Sequence, residues 1–203
     1  MPFRLLAISD RRGMGATTLP AWAAALASVG VPAVQLREKD LPDRAVVELL
    51  RLLRRELPAA RLIANGRADL AIAAGADGVH LPADGIPTAA LRRRFGDSLL
   101  IGRSTHTLEE VAREASSGAD YVTFGPVFAS PGKGEPVGLD ALARATQLGV
   151  PVLALGGIGL AELPLVATAG ATGAAGIRLF QDLALLPEVV SAAGEAFATK
   201  VPA

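Results

Sequence analysis

The chain contains no cysteine. Disulfides, thiolate metal sites and cysteine nucleophiles are excluded together. It also lacks an excess of charge: Lys+Arg and Asp+Glu each number 20, for a formal net charge of zero. Without a basic surplus there is no broad electrostatic hold on nucleic acid or an anionic membrane, and neither is expected as a partner. No apolar run reaches the roughly 18–20 uninterrupted residues that a membrane helix requires. The most apolar helix-like stretch near the N-terminus, residues 21–29, follows Arg11 and Arg12. It is not read as a secretion signal, because the segment ahead of it, residues 3–9, already reads as a strand. The expected setting is the cytoplasm.

Apolar residues make up 51% of the 203, enough for a sizeable core. Short apolar, β-branched runs alternate with longer helix-like segments. The strand candidates are residues 3–9, 33–36, 62–65, 78–81, 99–102, 121–124, 152–155 and 176–179. Most are apolar throughout, as strands are when a parallel sheet is covered on both faces. Helix candidates fill the gaps at 17–29, 43–57, 68–73, 87–93, 108–117, 139–148, 161–169 and 183–198. Thr107 followed by Glu110 has capping-box spacing, with Leu108, Val111, Ala112 and Ala115 on one apolar face. Gly30, Gly75, Gly118, Gly149 and Gly170 each stand between a helix and the next strand, where glycine accepts the left-handed cap. Eight such units predict a single-domain α/β protein folded as a (β/α)₈ (TIM) barrel, at the short end of that fold's usual length. A doubly wound open sheet is the alternative.

In such barrels the site forms at the C-terminal ends of the strands. After the second strand, alternation places Gln35, Arg37 and Lys39 on one side, two cations and an amide suited to a phosphate or carboxylate. A solvated charged loop reads equally well. Asn65 ends the third strand and points inward if the strand continues. His80 lies in an apolar strand and reads as a hydrogen-bonded core histidine. Asp84-Gly85 reads first as a turn. His106, just ahead of the capped helix, is either a neutral-pH acid/base or a helix-cap neighbour. Lys133 sits in the glycine-containing loop 129–134, either a lid bringing a cation to an anion or a plain surface loop. Gly156-Gly157 follows the seventh strand, where backbone amides commonly meet phosphate in this fold.

Taken together, Gln35-Leu36-Arg37-Glu38-Lys39-Asp40, Asp77-Gly78-Val79-His80-Leu81, Ile101-Gly102-Arg103-Ser104-Thr105-His106, Ala119-Asp120-Tyr121 with Phe124-Gly125-Pro126-Val127-Phe128, and Gly156-Gly157-Ile158 resemble the thiamine phosphate synthase superfamily. The resemblance runs in order along nearly the whole chain. It implies a (β/α)₈ barrel that handles a phosphorylated thiazole. Synthases of that superfamily join a pyrimidine pyrophosphate to the thiazole phosphate, with Mg²⁺ held by two aspartates. The two slots are Gly66 and Gly85 here, with Asp84 beside the second. The other branch, the TenI-type thiazole tautomerases, carries a pattern like Asn65-Gly66-Arg67, Leu81-Pro82 and Gly102-Arg103-Ser104-Thr105-His106, and needs no metal.

The expectation drawn is a thiazole tautomerase, an isomerase without cofactor or metal, acting on a small phosphorylated thiazole. In it His106 removes a proton at one carbon and returns one at another. Arg37 and Lys39 would meet the substrate carboxylate, with Gln35, Asn65, Ser104 and Lys133 as further substrate-binding residues. Gly156, Gly157 and the turn Arg178–Gln181, with Leu179, Phe180 and Gln181, would hold the phosphate by backbone amides. The alternatives are a thiamine phosphate synthase, favoured by the retained Gln35, Arg37, Lys39 and Lys133, and a binding or regulatory protein without catalysis. A homodimer is left open.

Overall fold

The computed structural model describes residues 3–198. Eight parallel strands close into a barrel in chain order. They are β1 (Leu5–Ile8), β2 (Ala33–Leu36), β3 (Arg61–Asn65), β4 (Gly78–Leu81), β5 (Leu100–Thr105), β6 (Tyr121–Phe124), β7 (Val152–Leu155) and β8 (Gly173–Gly176). The helices between and after them are α1 (Leu19–Ser28), α2 (Asp43–Glu56), α3 (Ala68–Ala74), α4 (Thr88–Phe95), α5 (Leu108–Ser117), α6 (Gly138–Ala145), α7 (Leu163–Thr168) and α8 (Leu186–Ala196). This is a single (β/α)₈ barrel. No helix among the described residues is long and apolar enough to cross a membrane.

Strand alternation divides the side chains into two cores. Outward residues such as Leu5, Ala7, Val34, Leu62 and Val122 pack under the helices with Trp22, Leu50, Leu53 and Leu142. Inward residues Leu6, Ile8, Ala33, Ile63, Tyr121, Leu153 and Ala175 fill the barrel together with Phe3. One residue further along the inward face, several strands turn polar: Gln35, Asn65, His80, Ser104 and Thr123. The apolar plug thus gives way to a polar ring at the C-terminal rim. Trp22 ties α1 to that rim by donating its indole N–H to the Phe180 carbonyl at 2.7 Å.

Two strand expectations are corrected. The eighth strand is Gly173-Ala174-Ala175-Gly176, not residues 176–179. The apolar run around Ile177 marked the wrong segment, because the true strand is built from small residues. A Cβ on Gly173 would lie 2.1 Å from the Arg4 carbonyl oxygen. Residues Arg178–Phe180 instead form a 3₁₀ turn. The fifth strand runs on to Thr105 instead of stopping at Gly102, because Arg103, Ser104 and Thr105 continue the ladder opposite Val122, Thr123 and Phe124.

Gly102 is a close-approach glycine. A Cβ there would stand 2.2 Å from Tyr121 Cζ and 2.6 Å from His80 Nδ1. Gly102→Ala is therefore expected to destabilise the barrel by about 1–3 kcal/mol through overpacking. Urea denaturation measures it; an unchanged midpoint would show that the barrel interior yields freely.

Candidate active site

The C-terminal rim holds two adjoining cavities. The larger, about 390 Å³, lies between the loops after β1, β6, β7 and β8, with Asp10, Arg37, Lys133, Gly156, Gly157 and Arg178 on its wall. The second, about 250 Å³, stands over the polar ring and is lined by Gln35, Arg37, Lys39, Asn65, His80, Asp84, Ser104, His106, Thr123 and Lys133. Arg37 and Lys133 line both.

The floor of the second cavity is a hydrogen-bonded network. Gln35 Nε2 donates to Asn65 Oδ1 at 3.0 Å, and Gln35 Oε1 is buried without a partner among the described residues. His80 is 4% exposed. Its Nδ1 lies 3.2 Å from the Tyr121 hydroxyl and its Nε2 3.0 Å from Ser104 Oγ. Burial, aided by the charge of Arg103, pushes the His80 pKa down to about 3. Burial also raises that of Tyr121. His80 is thus a neutral core histidine that supports the floor.

That shift has a sign. Between roughly pH 6.5 and pH 3 the unfolded chain takes up a proton that folded His80 refuses, so stability falls as pH drops through this window. Wild-type protein should lose more stability between pH 7 and pH 5 than His80→Gln does. Parallel urea-midpoint profiles would contradict this.

The cations are aimed by their loops. Ser9 Oγ accepts from the Arg37 N–H at 2.9 Å and donates to Glu38 Oε1 at 2.7 Å. The same carboxylate oxygen accepts from the Arg11 N–H at 3.1 Å. This buried Ser9–Glu38 link fixes the backbone that presents Arg37 and Lys39. On the opposite side, Val127 N–H donates to the Leu155 carbonyl and Phe128 N–H to that of Gly156. The loop after β6 is thereby laid against the loop after β7. Gly157, with φ of 67°, allows the approach; a Cβ there would stand 2.6 Å from the Ala129 carbonyl oxygen. Further along, Ser130 Oγ accepts from Arg178 Nη2 at 3.1 Å.

His106 follows β5 directly. Its Nδ1 lies 2.6 Å from the Gly125 carbonyl oxygen, which can only accept, so Nδ1 carries the proton and Nε2 is left free. Glu110 accepts from the His106 and Thr107 N–H groups, and Thr107 Oγ1 accepts from that of Glu110. The capping box at the start of α5 therefore sets the histidine's backbone.

Of the residues expected at the site, Gln35, Arg37, Lys39, Asn65, Ser104, His106 and Lys133 meet around the second cavity. Gly156, Gly157 and Leu179 line the first. Phe180 and Gln181 line neither cavity. Their N–H groups donate to Ile177 and Arg178 within the 3₁₀ turn. Ser9, Glu38, Arg103 and Thr123 were missed. Thr123 follows Tyr121 by two on an alternating strand, a signal present in the sequence. The pairing of Ser9 with Glu38 bridges 29 residues and has no local signal.

A Mg²⁺ ion between the loops after β3 and β4 would have to be held by residues of this rim. The ion requires oxygen ligands in near-octahedral geometry. Gly66 has φ of 72°, and the only atom that a Cβ there would meet is Pro82 Cδ at 3.7 Å. A Cβ on Gly85 would meet Pro82 Cδ at 3.0 Å and Pro82 O at 3.1 Å. Pro82 is the neighbour of both slots. Among the described residues no cluster of three or more His, Asp or Glu side chains is arranged to hold a metal. The residues present do not fit the ion.

The fold and rim define a (β/α)₈ barrel with a cation-walled, two-chambered site at the C-terminal ends of its strands. The chain belongs to the thiamine monophosphate synthase family, whose sequence model matches residues 5–180. It is 49% identical over 154 residues to a thiamine-phosphate synthase of Anaeromyxobacter dehalogenans, covering 73% of this chain and 69% of the relative. It is 41% identical over 177 residues to one of Roseiflexus sp., covering 83% and 74%. Among solved structures, thiamine phosphate pyrophosphorylase from Pyrococcus furiosus superposes with a TM-score of 0.82 at 28% identity, covering 95% of this chain and 97% of that one.

These relatives overturn the expectation of a thiazole tautomerase, and with it the isomerase assignment. That expectation leaned on the two glycines at the aspartate slots. Losing two ligands of one ion removes a metal site; it does not create proton-transfer chemistry. The retained Gln35, Arg37, Lys39 and Lys133 set runs the other way.

Proposed function

We propose that the chain is a transferase of the thiamine-phosphate synthase type, joining a pyrimidine pyrophosphate to a thiazole phosphate. The observation that carries this reading is the meeting of two cavities at Arg37 and Lys133. A joining reaction needs two anionic substrates side by side, with cations at their junction. The first cavity, with Gly156, Gly157 and Arg178, receives the thiazole phosphate. The second, over Gln35 and Asn65, receives the pyrimidine pyrophosphate.

In the step itself the bond from the pyrimidine-bearing carbon to a pyrophosphate oxygen breaks, and its electron pair leaves with the pyrophosphate. The thiazole supplies the pair for the new bond. Negative charge grows on the leaving group, so fixed cations nearby stabilise the transition state more than the ground state. His106, on the wall of the second cavity with Nε2 free, is placed to contact the departing pyrophosphate.

The test is pyrophosphate release. From the pyrimidine substrate alone release should stay at background, and adding thiazole phosphate should start it. Release without the second substrate, or none with both, would contradict the reading.

A further inference from the structure

We infer that this chain holds the pyrophosphate of its substrate with side-chain cations alone, without a bridging divalent ion. The choice of pyrophosphate rests on the joining reaction proposed above; the absence of a metal bridge rests on the cavity itself.

Three observations converge. The first is the charge left unspent in the second cavity. Arg37, Lys39 and Lys133 line it, and none forms an ion pair with another described residue. Elsewhere on the chain arginines close to carboxylates are paired with them, as Arg67 is with Asp43 and Asp69. Three like charges on one small cavity repel one another until an anion arrives, so an anion is what the cavity is built to take.

The second is the donor set. Asp84 is the only carboxylate on the wall of that cavity, and it is exposed. Beyond it the polar groups are amides, a hydroxyl pair, imidazoles and the three cations. A hard dication placed here would face more positive than negative charge.

The third is the packing of the loop after β4. Pro82 lies against both glycine slots. Arg103 then fixes the same loop from behind: Nη1 donates to the Ile86 carbonyl at 2.7 Å and Nη2 to that of Ala83 at 2.9 Å. A buried guanidinium thus gathers the carbonyls of a loop that has no carboxylate at either slot to anchor it to an ion.

The deciding experiment is calorimetric titration of inorganic pyrophosphate into the purified full chain, once in EDTA and once with excess Mg²⁺. The dissociation constant in EDTA should lie within about threefold of that in Mg²⁺, or below it. Lys39→Ala and Lys133→Ala should each weaken binding by about tenfold in EDTA, with thermal unfolding unchanged. Asp84→Asn is the sign test. In a cation-only site, removing a carboxylate leaves binding equal or tighter in both buffers; in a metal-bridged site it weakens binding in Mg²⁺. Binding seen only with Mg²⁺, or weakened there by Asp84→Asn, would overturn the inference. If pyrophosphate binds in EDTA but the two substrates are not joined, the proposed reaction falls and this inference stands. If they are joined and binding needs Mg²⁺, the reverse holds.

Discussion

Arg37→Ala should lower kcat/KM for the joining reaction by about 10²–10³, the usual cost of removing one preorganised group facing developing charge. Arg37 is the residue to choose because it lines both cavities and its backbone is fixed by the Ser9–Glu38 link. In the proposed reaction it would therefore face the leaving pyrophosphate and the incoming thiazole phosphate together. The loss should appear in kcat as well as KM, since charge on the leaving group grows toward the transition state. Arg37→Lys should recover only part of the rate, because an ammonium is a point charge and lacks the planar fork of a guanidinium. Steady-state kinetics with both substrates varied decides it. A variant altered only in the KM for one substrate would confine Arg37 to a single cavity.

The largest expected effect on stability lies behind the site. Arg103 and Glu114 are both buried, at 6% and 4% exposure, with Nε 3.7 Å from Oε1. Glu114 also accepts from the Thr88 hydroxyl. Arg103→Met leaves the Glu114 carboxylate with the Thr88 hydroxyl and one cation, the largely exposed Arg113, whose Nε is 3.7 Å from Oε1, and leaves the loop carbonyls of Ala83 and Ile86 without their donor. Breaking a buried pair from one side typically costs about 3–5 kcal/mol. Adding Glu114→Gln should recover part of this, since the buried charge that has lost its buried partner is gone and the Thr88 hydroxyl keeps an acceptor. Urea denaturation of the single and double variants measures both. A single variant within about 0.5 kcal/mol of wild type would show that solvent reaches Glu114 freely.

The barrel was legible in the sequence because its signals are local. Apolar runs, glycine caps and the Thr107–Glu110 box each act within one unit, and eight of them in order leave few topologies. The eighth strand escaped because Gly173-Ala174-Ala175-Gly176 carries no β-branched residue; close approach to the backbone at Arg4 demands small side chains there. At the site, Gln35, Arg37 and Lys39 could be placed on one side by alternation alone. The partition of the rim into two cavities could not, because it depends on where the loop carrying Lys133 lies against the loop after β7. Arg103 stood in a motif yet hid its contacts, since the helix and loop it joins meet only in the folded barrel. The glycines at 66 and 85 were read as missing ligands and, from that, wrongly as a change of reaction.

The measurement that bears most directly on the account is product formation. Purified chain mixed with pyrimidine pyrophosphate and thiazole phosphate, followed by mass spectrometry, should yield thiamine phosphate and one equivalent of pyrophosphate per product. Both substrates recovered unchanged, at concentrations where each is shown to bind, would contradict it.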